Sequence, residues 1–293
     1  MANPQVQQIY QMLAANPVAN ATQTIEEMRR NYDAFTSMYP PLPGIERESA
    51  QTGGVPAEWL RPAGADPDRA VLFVHGGGFM FGSLASHRDP ASRIAKAANA
   101  AVLSIEYRLA PEHAVPAAVE DAVHAFRWLV DEAGFAPEKI GITGESAGGG
   151  LALATTLALR DAGHPLPGAI ALMSPWVDMV CDSASLDAND DPVMVPAIVR
   201  MMAQAYLRGQ DPKTPLASPL HADLRGLPRL LVQVGAAEKL HDEGKQLADR
   251  AREAGVDVEF EAWEDMFHAW HLFAIMLEDG QRALDRVGAF LRG

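Results

Sequence analysis

The sequence predicts an α/β fold built on a mostly parallel sheet with helices on both faces. Short apolar runs recur at Ala70 to Val74, Ala101 to Tyr107, Ile140 to Thr143, Ala169 to Ser174, Leu230 to Val234 and Val256 to Trp263. Helical patterns separate most of them, at Pro90 to Asn99, Val115 to Ala133, Ser146 to Ala162, Lys239 to Ala254 and His271 to Leu291. Near-continuous apolar strands alternating with helices are strands buried on both faces, which is how a parallel sheet covered by helices reads. The 293 residues, 48% hydrophobic and 21% charged, hold enough apolar material for one large core of this kind.

The elements outside this rhythm follow from local signals. Val6, Ile9, Tyr10 and Leu13 recur at helical spacing behind Asn3-Pro4, a cap and first-turn pair. Thr24 and Glu27 have capping-box spacing, and Ile25, Met28, Tyr32 and Phe35 continue an apolar stripe through Met38 or Tyr39 until Pro40-Pro41 stops it. An edge pair of strands, Ile45 to Ala50 and Val55 to Arg61, comes next. Between Asp178 and Pro228 no strand pattern appears; Asp190-Asp191-Pro192, Pro196, Pro212, Pro215 and Pro219 punctuate a Met-rich helical piece from Val193 to Leu207. The expected organisation is therefore N-terminal cap helices over 1–44, a core over 45–177, a cap insertion over 178–227, and the rest of the core over 228–293.

Composition excludes several classes. Twenty-four Lys and Arg against 38 Asp and Glu give a net charge of −14, which repels nucleic-acid phosphates and anionic headgroups. One cysteine, Cys181, can form neither an internal disulfide nor a multi-Cys metal site, and reads as a small hydrophobe. The start, Met1-Ala2-Asn3-Pro4-Gln5, lacks the basic and apolar segments of a signal peptide, and no stretch has the uninterrupted apolar length of a membrane span. A cytoplasmic protein without cofactor is the expectation.

The sharpest chemical signal is Gly144-Glu145-Ser146-Ala147-Gly148, between the strand Ile140 to Thr143 and a helical run. Strand, tight turn and helix are the context of a nucleophile elbow, in which flanking glycines let the backbone turn hard enough to expose a serine hydroxyl. His75-Gly76-Gly77-Gly78 ends the strand Ala70 to Val74, at the same carboxyl edge of a parallel sheet. Consecutive glycines let backbone N–H groups approach a ligand, as an oxyanion hole requires. No Lys-Ser/Thr follows them and no G-x-G-x-x-G occurs, which disfavours a phosphate cradle.

A serine nucleophile needs a base, and the base needs an orienting carboxylate. Of nine histidines, His268 follows the last expected strand and precedes the final helix; His271, one helical step further in, reads as structural. For the carboxylate, Glu238 lies just past Leu230 to Val234 and Gly235-Ala236-Ala237, with Asp242 as an open alternative. The chain order serine, acid, histidine is that of α/β hydrolases. His268 and His271 lack the glutamates and spacing of zinc hydrolases, so no metal is expected, and the absence of Ser-x-x-Lys disfavours a β-lactamase-like site.

With Tyr107-Arg108-Leu109-Ala110-Pro111-Glu112 between them, the two glycine motifs resemble those of the bacterial hormone-sensitive-lipase family of carboxylesterases, and the resemblance covers nearly the whole chain. It implies an α/β-hydrolase core, a helical cap and hydrolysis of short- to medium-chain acyl esters, with a lactone hydrolase as the alternative. It also implies Ser146 as nucleophile, His268 as base, Glu238 as acid, and the N–H groups of Gly76, Gly77 and Ala147 as the oxyanion hole. Dimers are common in the family, so a homodimer is a further expectation. A plant hormone receptor resembles the family but lacks a working triad histidine; all three triad types are present here, which disfavours a pure binding role. Two departures stand out: Glu238-Lys239-Leu240 where members commonly carry Asp-Pro-Leu, and Asp265-Met266-Phe267-His268-Ala269-Trp270 in place of Gly-x-x-His-x-Phe. Arg108 and Glu112 are expected to pair with each other inside the fold.

For substrate binding, Met194 belongs to a methionine group with Met179, Met201 and Met202 in the insertion and Met12, Met28 and Met38 in the N-terminal helices. Flexible thioethers suit an adaptable apolar pocket or fill gaps between cap and core equally well. Phe79, Phe81, Tyr206 and Trp270 are further candidates for its lining.

Overall fold

The computed structural model describes residues 3–15 and 23–293. Residues 1–2 and 16–22, parts of the expected N-terminal cap segment, lie outside the described residues. In chain order the elements are α1 (Pro4–Ala15), α2 (Ile25–Thr36), β1 (Ile45–Thr52), β2 (Val55–Pro62), β3 (Asp66–Val74), α3 (Arg88–Ala98), β4 (Ala100–Ile105), α4 (Ala117–Asp131), β5 (Ile140–Glu145), α5 (Ala147–Asp161) and β6 (Ala169–Met173). There follow α6 (Ala184–Ala188), α7 (Pro196–Leu207), β7 (Arg229–Gly235), α8 (His241–Glu253), β8 (Val258–Trp263) and α9 (Glu278–Arg292).

One eight-stranded sheet runs in the order β1-β2-β4-β3-β5-β6-β7-β8. Only the β1/β2 and β2/β4 pairs are antiparallel; every pair from β4 to β8 is parallel. Every residue of β4, β5 and β6 is buried, as central strands between two helical layers must be. Leu72, Leu103, Ile142, Leu172 and Val232 face one core with α4 and α5, while Val71, Phe73, Val102, Ala171 and Leu231 face the other with α3 and α9. This alternation along each strand is the pleat dividing the apolar side chains between two layers.

At the N-terminus, Asn3 Oδ1 accepts the Gln5 N–H, and Thr24 with Glu27 forms the expected reciprocal capping box at α2. α1 docks Val6 and Ile9 onto Phe267, Trp270 and Phe273. Arg29 ties α2 to the core by donating to the carbonyls of Met80 and Ala110 and to Glu112.

Several expectations need correction. Arg108 pairs with Asp121 and Glu120 of α4, not with Glu112, because Glu112 faces α2 and takes Arg29. The expected helix Val193 to Leu207 begins only at Pro196; proline suits the first helical turn, and Pro192 to Val195 stay irregular. The expected helix His271 to Leu291 breaks into a 3₁₀ turn, Trp270–Phe273, and α9. Trp270 and Phe273, three residues apart and so aligned on one side of the 3₁₀ turn, bury together with Phe267, and His271 Nε2 is bonded to Gln233 Oε1 at 3.0 Å.

Candidate active site

The site forms where the parallel strands end. β5 delivers Glu145 and then Ser146, whose φ of 55° and ψ of −122° make a sharp turn into α5. Such a backbone needs support: the Ser146 N–H donates to the Met173 carbonyl at 2.9 Å, and its carbonyl accepts the Trp176 N–H at 2.9 Å. A side chain at Gly148 would collide with the backbone of Val74 and His75, so glycine is what lets α5 begin against the end of β3.

His268 reaches the site from the loop after β8. Its Nε2 lies 2.9 Å from Ser146 Oγ, with both residues buried. Burial lowers the imidazole pKa to about 4, opposed by the nearby Glu145 carboxyl, so the ring is neutral and able to take a proton. Glu238, in the turn after β7, is buried and bonded at one oxygen only: Oε2 accepts the Ser174 hydroxyl at 2.6 Å and the Gly235 N–H at 3.0 Å. Ser174 Oγ also accepts the Ala269 N–H at 3.2 Å, which links the acid turn to the residue after His268. Glu238 Oε1 and His268 Nδ1 are both buried, and neither has a hydrogen-bond partner among the described residues. Burial pushes the Glu238 carboxyl well up, against the pull of its two donors. Asp242, the alternative acid, is half exposed and occupied elsewhere, accepting the Ser185 N–H at 2.9 Å and facing His241 at 3.2 Å.

The glycine turn divides differently from expectation. The Gly76 N–H is engaged by His87 Nε2 at 3.3 Å, which takes it out of the expected donor set. Gly77 and Gly78 line the cavity, and among the described residues no internal acceptor takes the N–H of Gly77, Gly78 or Ala147. His75 is structural: its Nδ1 donates to the Gly76 carbonyl at 2.8 Å and its ring stacks on Tyr107 at 4.2 Å.

A cavity of about 440 Å³ opens onto Ser146 and His268. Its walls are mostly apolar: Leu13 from α1, Tyr32 and Phe35 from α2, Phe81, and Val193, Met194 and Met202 from the 178–227 segment. Of the proposed lining residues Met194 and Phe81 are therefore in place, with Met202 of the methionine group beside them. Phe79, Tyr206 and Trp270 are not: Phe79 and Tyr206 stack on each other in the core at 3.8 Å, and Trp270 packs beneath α1. Met179 and Met28 are likewise core residues.

Sequence reasoning missed Glu145 and Asp191. Glu145 Oε1 lies 3.8 Å from His268 Nε2, and its Oε2 lies 3.4 Å from His87 Nε2. Burial raises its pKa to about 7, opposed by His268. Its position inside the serine motif was the available signal. Asp191, read only as turn punctuation, bonds the His268 N–H at 3.0 Å. Among the described residues no group of three or more His, Cys, Asp or Glu could hold a metal ion, and no described helix is long and apolar enough to cross a membrane.

A parallel sheet with a serine elbow, a strand-end histidine and a glycine turn at one edge defines an α/β hydrolase. A family model described as the alpha/beta hydrolase fold matches residues 71–272. An acetyl-hydrolase of Streptomyces hygroscopicus is 43% identical, over 100% of this chain and 97% of its own. An esterase of Acinetobacter venetianus is 32% identical, over 90% and 87%. A crystal structure of an esterase from the bacterial hormone-sensitive lipase family superposes with a TM-score of 0.95 at 44% identity, covering 100% of this chain and 98% of that one. The chain belongs to the α/β-hydrolase fold family and, within it, to the bacterial hormone-sensitive-lipase family of carboxylesterases.

Proposed function

We propose that the protein hydrolyses short- to medium-chain acyl esters through an acyl-enzyme on Ser146. The observation that carries this reading is the 2.9 Å contact of Ser146 Oγ with a neutral, buried His268 Nε2 at the floor of an apolar cavity. His268 takes the Ser146 proton as Oγ attacks the ester carbonyl. The N–H groups of Gly77, Gly78 and Ala147 receive the developing oxyanion, and the imidazolium then protonates the departing alcohol. Water repeats the sequence on the acyl-enzyme and releases the acid. Glu238 Oε1 is the acceptor for His268 Nδ1–H, a bond that closes when the imidazolium forms, since both groups are buried and otherwise unpartnered. The acyl chain lies against Val193, Met194 and Met202, and the acetyl-hydrolase named among the relatives supports the short end of the range. The single cysteine supports a cytoplasmic setting, and family membership supports a homodimer, which light scattering measures directly.

Ser146→Ala is expected to lower kcat for p-nitrophenyl butyrate by at least about 10⁴-fold with the fold intact by circular dichroism, and to abolish organophosphonate labelling. Retained turnover would overturn the assignment. Glu238→Gln should cost about 10³-fold and Asp242→Asn little. An acyl-length series run beside simple lactones separates ester from lactone preference.

A further inference from the structure

Asp191 stands in the irregular stretch between α6 and α7, directly ahead of the cavity-lining Pro192, Val193, Met194 and Val195. It is 5% exposed, and among the described residues its side-chain hydrogen bonds all go to backbone. Oδ1 accepts the Val193 N–H at 2.8 Å, closing a local turn. Oδ2 accepts two amides that are distant in sequence: His268 at 3.0 Å and Lys239, the residue after Glu238, at 3.3 Å. One carboxylate oxygen thus holds the backbone of the base and the backbone next to the acid at a fixed separation. Neighbouring bonds reinforce the junction, since Asn189 Nδ2 donates to the Glu238 carbonyl at 2.7 Å and Lys239 Nζ to the Asn189 carbonyl. A buried acceptor with three amide donors is costly to remove, because the amides are left unpaired.

We propose that Asp191 is a positioning residue for the esterase reaction, fixing the Glu238 turn against the His268 loop and joining both to the wall of the acyl cavity. The inference rests on the assignment of His268 as base and Glu238 as acid. Because Glu238 Oε1 and His268 Nδ1 stand unbonded, the separation that Asp191 sets decides how readily that bond closes. Because the same carboxylate fixes Val193, an acyl chain that presses on Val193 and Met194 acts on a segment bonded to both loops.

The test compares Asp191→Ala and Asp191→Asn with wild type on p-nitrophenyl butyrate, alone and in a Glu238→Gln background. Asp191→Ala is expected to lower kcat by about 10²-fold with KM within a few-fold, the size of effect a misplaced catalytic group produces. Asp191→Asn keeps one oxygen able to accept both the His268 and Lys239 amides, and should recover most of kcat; it also serves as the folded variant should the alanine protein fail to fold. In the Glu238→Gln background either change should cost less than tenfold, since the pair being positioned is already broken. Unchanged kcat in both variants, a loss confined to KM, or equal losses in both backgrounds overturns the inference. A His268→Ala protein that keeps full activity would instead overturn the underlying assignment of the base.

Discussion

Below about pH 7 Glu145 carries a proton that suits its neighbours. His87 Nε2 accepts the Gly76 N–H, and His87 Nδ1 lies 2.7 Å from Ser86 Oγ, so the ring is neutral with its proton on Nδ1. Burial agrees, holding the His87 pKa at about 4. Glu145 Oε2 therefore faces a lone pair at 3.4 Å, which is a good contact only for a protonated carboxyl. The shared environment also includes His75, held at about 3 by burial, with His268, Tyr32, Tyr107 and Glu238 around it. With the Glu145 pKa at about 7, the group is neutral below that pH and an anion beside His268 above it, where it favours the imidazolium of the transition state. Wild-type kcat/KM should accordingly rise through about pH 7, and Glu145→Gln, which can still donate to His87, should lose that rise and shift its acid limb to lower pH. Stability runs the opposite way: a folded pKa of about 7 against an ordinary value of 4.5 means that the stabilisation is present in full below about pH 4.5 and is lost as pH rises from there through 7. Glu145→Gln should then melt above wild type at pH 8, by on the order of 3 kcal/mol, and equal it near pH 4. Ser146 and His268 were legible because motif and strand-end position mark them. Glu145 and Asp191 were not, because their roles depend on which distant amides and imidazoles fold around them.

Helices and strands were legible where apolar pattern alone determines them, as in β4, β5 and β6, buried on both faces. They were not where tertiary contacts override the pattern: the Trp270–Phe273 turn answers to α1 and Gln233, and the first residues of β3 are too exposed to show a strand's hydrophobicity. The α2 helix gives an element-level test. Arg29 donates to two backbone carbonyls and to Glu112, which is half exposed, so the ion pair itself contributes little and the carbonyl bonds carry the tether. Arg29→Ala should loosen α2 by about 1–2 kcal/mol, seen as faster amide exchange over residues 25–36. Since α2 supplies Tyr32 and Phe35 to the cavity wall, KM should rise several-fold while kcat holds.

Across the whole molecule, the first helix of the chain packs behind His268. Ile9 of α1 is fully buried among Met266, Phe267, Trp270 and Phe273, with Tyr10 edge-on to Phe267 at 5.4 Å. The N-terminal helix thus packs on the loop that carries His268, and also lends Leu13 to the cavity. Ile9→Ala should cost about 2–5 kcal/mol in urea unfolding, and the surviving folded protein should show reduced kcat because the histidine loop has lost its backing. The parallel order from β4 to β8 has a further consequence in time. β3, β5 and β6, which shape the serine turn, end by Met173, whereas His268, the proposed base, comes only after β8, the strand at the far edge of the sheet. With 122 residues between the proposed nucleophile and its proposed base, and with one face of β3, β5 and β6 packed on α9, the chain gains the means to cleave an ester only when its C-terminal part closes onto strands laid down long before.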